Sequence, residues 1–199
     1  MVRERMESWF EIKVRAILGP GDKDDKEVVI LGRRVRWTPK GIEYEADPKH
    51  RQIVLEYFGF QEGSRALGVN GDREEREEEG DSEPLGEEEA KAYRGLAARL
   101  NYMSLDCPDL QFGNKAGSRE MASPTRGSWK YLKKMARYSV GIEAIIWHFG
   151  WQDEPQYSVV KTDSDWGGTA RDRKSTSGGY GCSVIIASRR GALPRGPML

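Results

Sequence analysis

The chain has 199 residues, 37% hydrophobic and 32% charged, with 32 Lys+Arg balanced by 32 Asp+Glu. That length allows one domain or two small ones, and the apolar content is low for a compact fold. Two cysteines without zinc spacing, a charged N-terminus unlike a signal peptide and no bilayer-length apolar run argue against secreted, disulfide-framed and membrane classes, and predict an intracellular chain, cytoplasmic or nuclear, with no membrane partner.

Trp9 to Leu18 alternates apolar residues at Phe10, Ile12, Val14 and Ala16 and predicts a first strand, ended by Gly19-Pro20-Gly21-Asp22. Val28 to Trp37 predicts a second strand, Thr38 to Gly41 a turn and Ile42 to Glu45 a third, so a β-meander is expected. Asp47 as N-cap and Pro48 at the first helical position open a helix with Ile53, Val54, Tyr57 and Phe58 on one side, stopped by Gly59.

Residues 61–89 contain few apolar side chains, and between Asp72 and Glu89 eleven acidic residues face two Arg. Such a segment cannot bury enough surface to offset chain entropy and reads as an acidic disordered linker, with an acidic mimic of nucleic acid as the functional alternative. The net of about nine negative charges there leaves the remainder about nine positive, as suits contact with a phosphate backbone.

Beyond it, Tyr93, Leu96, Ala97, Leu100 and Met103 share a helical face. Asp106-Cys107-Pro108-Asp109 breaks the pattern, Leu110 to Met121 predicts a second helix weakened by Gly113 and Gly117, and Ser123-Pro124-Thr125 opens a third that carries Trp129, Leu132, Lys133, Ala136 and Tyr138 up to Gly141. Ile142 to Phe149 predicts a strand and Gln152 to Gln156 a turn. Tyr157 to Val160 then leads to Asp163 near a strand end, and Ser177 to Ile186 returns as the second arm of a β-hairpin. The final residues, 188–199, have no periodicity.

Lys161 to Gly181, KTDSDWGGTARDRKSTSGGYG, resembles the opening of the ribonuclease H domain of copia-type retrotransposon polyproteins, in which Ser-Asp-x-Asp-Trp-x-Gly precedes Arg-Lys-Ser-Thr-Ser-Gly-Tyr. The run VVILGRRVRWTPKGIEYEADPKHRQIVLEYFGF is similar to the segment after the reverse transcriptase palm in that family. Tyr93-Arg94-x-Leu96, Asn101-Tyr102, Pro108-Asp109-Leu110, Ser123-Pro124-Thr125, Trp129-x-x-Leu132-Lys133 and Arg137-Tyr138 resemble its thumb and connection helices. The resemblance runs in the family's order from about Glu11 to Ile186. It implies an α+β fold in five parts: the end of a reverse transcriptase at 9–60, the linker at 61–89, thumb/connection-like helices at 90–141, the start of a ribonuclease H-like domain with an incomplete hairpin sheet at 142–187, and an unstructured tail at 188–199.

The resemblance also implies a role for Asp163 as a catalytic carboxylate and ligand of Mg2+. Two-metal phosphodiester hydrolysis needs several carboxylates that converge on ions about 3.5–4 Å apart. The Glu and two Asp expected after Asp163 have no counterpart, and no Tyr-x-Asp-Asp is present for polymerisation. The expectation is therefore a fragment of reverse transcriptase and ribonuclease H parentage that is inactive alone and holds Mg2+ weakly or not at all. The alternatives are a retroelement-derived, non-catalytic nucleic-acid-binding protein and a relic without function. Binding to an RNA–DNA hybrid or DNA would use Arg33, Arg34 and Arg36 beside Trp37, and Lys130, Lys133 and Arg137, as phosphate contacts; solvent-facing structural residues are the plainer reading of both sets. His50 and His148 lack spaced partners for a metal site, and Gly178 to Gly181 lacks the following Lys-Ser/Thr of a phosphate loop, so a turn is expected there.

Overall fold

The computed structural model describes residues 2–61, 63–68, 79–142, 144–153, 158–164, 175, 177–182 and 188–190. It is α+β, with a core formed largely by helices, a five-stranded antiparallel sheet and a separate two-stranded one.

The chain opens with α1 (Val2–Glu7), turns at residues 8–10 and then has neither helix nor strand as far as Leu18. The strand predicted over Trp9 to Leu18 does not form: the alternation is present, but a strand needs a neighbour, and among the described residues the segment makes only an isolated bridge between Leu18 and Asp25. The single strand predicted for Val28 to Trp37 is instead a hairpin, β1 (Glu27–Ile30) and β2 (Arg33–Thr38). Its two-residue loop places both Leu31 (φ 52) and Gly32 (φ 78) in the left-handed region. That is the twist that suits a tight antiparallel turn, and Leu31 disguises it in the sequence because turn residues there are usually Asn, Asp or Gly. β3 (Gly41–Glu45) follows the expected turn and completes the meander.

Asp47 does the capping work expected of it one residue early. α2 (Lys49–Tyr57) has Pro48 at the N-cap, and the Asp47 carboxylate accepts from the Lys49 amide at 2.9 Å. At the other end Gly59 (φ 70) lets its own amide reach the Glu56 carbonyl and the Phe60 amide reach Leu55, a Schellman closure.

α3 (Glu87–Ser104) buries Tyr93, Leu96, Ala97, Leu100 and Met103, the face its periodicity predicts. Three acidic residues in its first turn complement the helix dipole. A 3-10 turn at Pro108–Leu110 leads into α4 (Gln111–Arg119). The glycines that weaken α4 as an isolated helix are its packing surface. Gly113 and Gly117 are buried, Tyr131 donates to the Gly113 carbonyl at 3.1 Å, and Tyr93 donates to that of Gly117 at 2.7 Å. α5 (Arg126–Val140) begins in a capping box between Thr125 and Ser128. These helices enclose Val54, Tyr93, Leu100, Cys107, Leu110, Leu132 and Met135, all fully buried. Each such side chain contributes roughly 1.5–3 kcal/mol through burial.

β4 (Ile146–Gly150) pairs antiparallel with β3, so the strand that follows the helices returns to the meander. It starts later than predicted, because Ile142 and Ile145 are spent in the helical core. β5 (Val159–Ser164) and β6 (Ser177–Cys182) form the expected hairpin as a separate two-stranded sheet, and β7 (Ser188–Arg190) closes the larger sheet in the order β1-β2-β3-β4-β7. β7 falls in the tail expected to be unstructured. The hairpin loop 165–174 and residues 183–187 lie outside the described residues, as do Glu154 to Gln156 of the predicted turn, Tyr157 of the strand predicted after it, and residues 69–78 of the acid run.

The described end of that run, 79–89, is ordered rather than free. Pro84 bridges Thr125, the Asp81 carbonyl accepts from the Gly127 amide and Glu83 from that of Arg126. Lys130 pairs with Asp81 at 2.8 Å and Arg126 with Glu89 at 2.8 Å. Acidic residues thereby meet the positive end of the α5 dipole. On the other side of the run, Leu67 packs on the core and its amide donates to Arg137.

Candidate functional site

Because β-strand side chains alternate, β2 sends Arg34 and Arg36 to one face of the sheet and Arg33 to the other. The cross-strand partners decide what each can do. Arg36 stands opposite Glu27 on β1 and Glu43 on β3, and it pairs with Glu27 at 3.0 Å, with Glu43 at 3.5 Å and closely with Glu45. Arg34 reaches Glu27 at 3.3 Å and Glu45 at 4.0 Å. Three glutamates thus neutralise two arginines on one sheet face, a pattern of opposed charges that stabilises the ladder. His148 of β4 joins this face, with Nδ1 3.9 Å from Glu43.

Arg33 turns inward. Its guanidinium donates to the Asp106 carboxylate at 3.0 Å and to the Tyr102 hydroxyl, and it lies 4.5 Å over the Tyr102 ring. Tyr44 on β3 donates to the same carboxylate at 2.7 Å, and Trp147 on β4 donates to the Asp106 backbone carbonyl at 2.9 Å. Three adjacent strands therefore close on one residue in the turn after α3. The Arg33 and Asp106 side chains are 16% and 9% exposed. Burial opposes the Arg33 charge, but the charge and hydrogen bond of Asp106 outweigh it and raise the pKa. Burial pushes the Tyr44 hydroxyl up to about 12, with Asp106 adding to the shift. The sequence marks Asp106 only as part of a helix break, and no local pattern shows that three strands converge on it.

The basic set on α5 is disposed differently. Lys130, Lys133 and Arg137 are spaced so that they share the solvent side of the helix, and all three are exposed. Lys130 is paired with Asp81, and Arg137 lies 5.5 Å over the Phe60 ring. His50 stacks on Tyr102 at 4.4 Å with Nδ1 3.2 Å from Arg99, which gives it a structural place between α2 and α3.

Asp163 stands on β5 opposite Gly178, in a strand exposed along its whole length. Its Oδ1 accepts from the Ser164 amide at 2.9 Å, and an open cleft is lined there by Thr162, Asp163, Ser164, Ser177 and Gly178. Among the described residues no three His, Cys, Asp or Glu side chains gather as a metal cluster. Mg2+ demands near-octahedral oxygen coordination. One carboxylate supplies too little of it, so the described residues do not furnish the set that the ribonuclease H resemblance implies.

No family model matches the sequence, and no solved structure matches it. Among curated proteins it is 29% identical over 103 residues to an uncharacterized mitochondrial protein, AtMg00810, of Arabidopsis thaliana. It is 32% identical over 88 residues to a retrovirus-related Pol polyprotein from transposon RE2 of the same plant. The chain is homologous to part of a retrotransposon Pol polyprotein. The matches take in 49% and 43% of this chain, but 42% of the mitochondrial protein and 6% of the polyprotein. Among the described residues no helix is long and apolar enough to cross a membrane.

Proposed function

We propose that this retroelement-derived chain corresponds, in a copia-type Pol polyprotein, to the end of the reverse transcriptase, the thumb and connection helices and the first hairpin of ribonuclease H, and that it catalyses neither reaction alone. The similarity to the transposon polyprotein supports the parentage. The observation that carries the inactive reading is Asp163, which stands on an exposed hairpin without a cluster of further metal-ligating side chains among the described residues. Water activation and leaving-group stabilisation by paired ions need convergent ligands, and one ligand cannot place two ions.

The second reading is non-catalytic binding to an RNA–DNA hybrid or DNA. The exposed row of Lys130, Lys133 and Arg137 on α5 favours it. Arg33, Arg34 and Arg36 are paired with carboxylates within the fold, and on α5 Lys130 is paired with Asp81, so this reading rests on the exposed Lys133 and Arg137 of α5 with Lys130 beside them.

A Mg2+-dependent cleavage assay on a labelled RNA–DNA hybrid, run beside Asp163→Asn, tests the first reading. The expected result is no cleavage by either protein; cleavage that disappears in Asp163→Asn would overturn it. Binding to the same hybrid across a salt series tests the second. Replacing Lys130, Lys133 and Arg137 by Ala should flatten the salt dependence by up to about three phosphate contacts, and an unchanged slope would remove α5 as the binding face.

A further inference from the structure

Residues 9–17 carry the signature of a half-buried strand, yet they lie against solvent. Trp9 is 64% exposed, Phe10 62%, Ile12 37% and Val14 40%. The backbone groups of residues 11–16 make no hydrogen bond to any described residue. The segment is nevertheless tethered at both ends. The Phe10 amide donates to Met6 at 2.9 Å, while the Ile17 amide donates to the Asp25 carboxylate at 3.0 Å and the Asp25 amide to the Ile17 carbonyl at 2.8 Å. Unpaired edges of this kind template pairing with another chain.

We propose that Phe10 to Val14 pairs antiparallel with the same segment of a second copy of this chain, about a two-fold axis through Ile12. Self-complementarity of charge and shape selects both the occupant and the register. With Ile12 opposite Ile12, Phe10 stands opposite Val14 on the apolar face, and Glu11 stands opposite Lys13 twice on the polar face. Outside them Trp9 stands opposite Arg15, a second cation for a ring that already has Arg5 over it at 5.0 Å. A two-fold axis through Glu11 sets Glu against Glu, and one through Lys13 sets Lys against Lys. A one-residue slip sends apolar residues to the polar face. An in-register parallel pair repeats both like-charge contacts. Closed two-fold pairing is the commonest way for a self-complementary patch to be satisfied.

Light scattering on the full chain at about 0.5 mM, a concentration chosen because an isolated two-stranded ribbon is marginal, should give twice the 22.5 kDa of one chain. Glu11→Lys alone should weaken association about tenfold by turning two opposed pairs into like-charge pairs, and Glu11→Lys with Lys13→Glu should restore it. In a Cys182→Ser background, with Cys107 buried, Ile12→Cys should form a disulfide-linked dimer on mild oxidation, since opposed residues have Cα atoms about 4.5–5.5 Å apart. Val14→Cys should not, because each copy of it faces Phe10. A monomer throughout the concentration range would overturn the proposal. So would a dimer indifferent to the charge exchange, or one that cross-links at residue 14 rather than at 12, either of which would assign the association to another surface. These substitutions are on exposed residues outside the core, so loss of folding is not expected to mask either result, and circular dichroism of each variant checks it.

Discussion

Removing the Asp106 carboxylate should separate the sheet from the helices more effectively than any surface change. Asp106→Ala leaves the Arg33 guanidinium, 16% exposed, without its counter-ion and the Tyr44 hydroxyl without its acceptor. Breaking a buried pair by deleting one partner costs about 3–5 kcal/mol, and the residual water access here places the expected loss at about 3 kcal/mol. For an m-value near 2 kcal/mol/M in urea, that lowers the unfolding midpoint by about 1.5 M. Urea titrations followed by far-ultraviolet circular dichroism and by Trp fluorescence measure it, the second probe summing six tryptophans that include Trp147, whose indole donates to the Asp106 carbonyl. Arg33→Ala should cost a similar amount, and the double variant should lose clearly less than the two together, since the pair is one interaction. A midpoint shift below about 0.5 M for Asp106→Ala, or full additivity of the two changes, would refute the idea that this residue joins the sheet to the helices.

Burial raises Tyr44 to about 12, and it raises Tyr93 to about 12, with the nearby Glu120 carboxylate adding to that shift. The unfolded chain therefore releases these protons near pH 10 while the folded one keeps them, so stability is full below about pH 10 and falls as pH rises towards 12. Urea midpoints at successive pH values should show this fall, and Tyr44→Phe and Tyr93→Phe should each flatten it relative to the parent. Gly41 has φ 152, and a Cβ there would run into the Phe149 carbonyl oxygen of β4, so Gly41→Ala should lose at least about 2 kcal/mol. Gly59→Ala, whose Cβ meets open space at φ 70, should lose only about 1 kcal/mol. Asp163→Asn should leave the urea midpoint unchanged, since its only described hydrogen bond is to the adjacent amide.

Helix faces, helix caps and the Thr38 to Gly41 turn were legible without a structure because they depend on neighbours a few residues away, whereas the equally local Leu31–Gly32 turn was hidden by a leucine at a left-handed position. Tyr93, Leu96, Ala97, Leu100 and Met103 are buried as their spacing requires, Thr125 caps α5, and the arms of the β5–β6 hairpin find each other across one loop. The resemblance around Asp163 likewise rests on contiguous residues. The tertiary structure decided what depends on partners distant along the chain. Trp9 to Leu18 has the alternation of a strand but, beyond the single bridge to Asp25, no partner strand among the described residues, whereas β4 finds its neighbour across roughly a hundred residues in β3. Arg33 and Arg36 look alike in sequence, yet strand alternation and cross-strand register send one to Asp106 and the other to three glutamates, which removes both from a basic surface. Hydrophobic period and capping chemistry are local properties of the chain. Which strand receives which neighbour, and which charge is neutralised, is settled when distant segments are brought to within hydrogen-bond length.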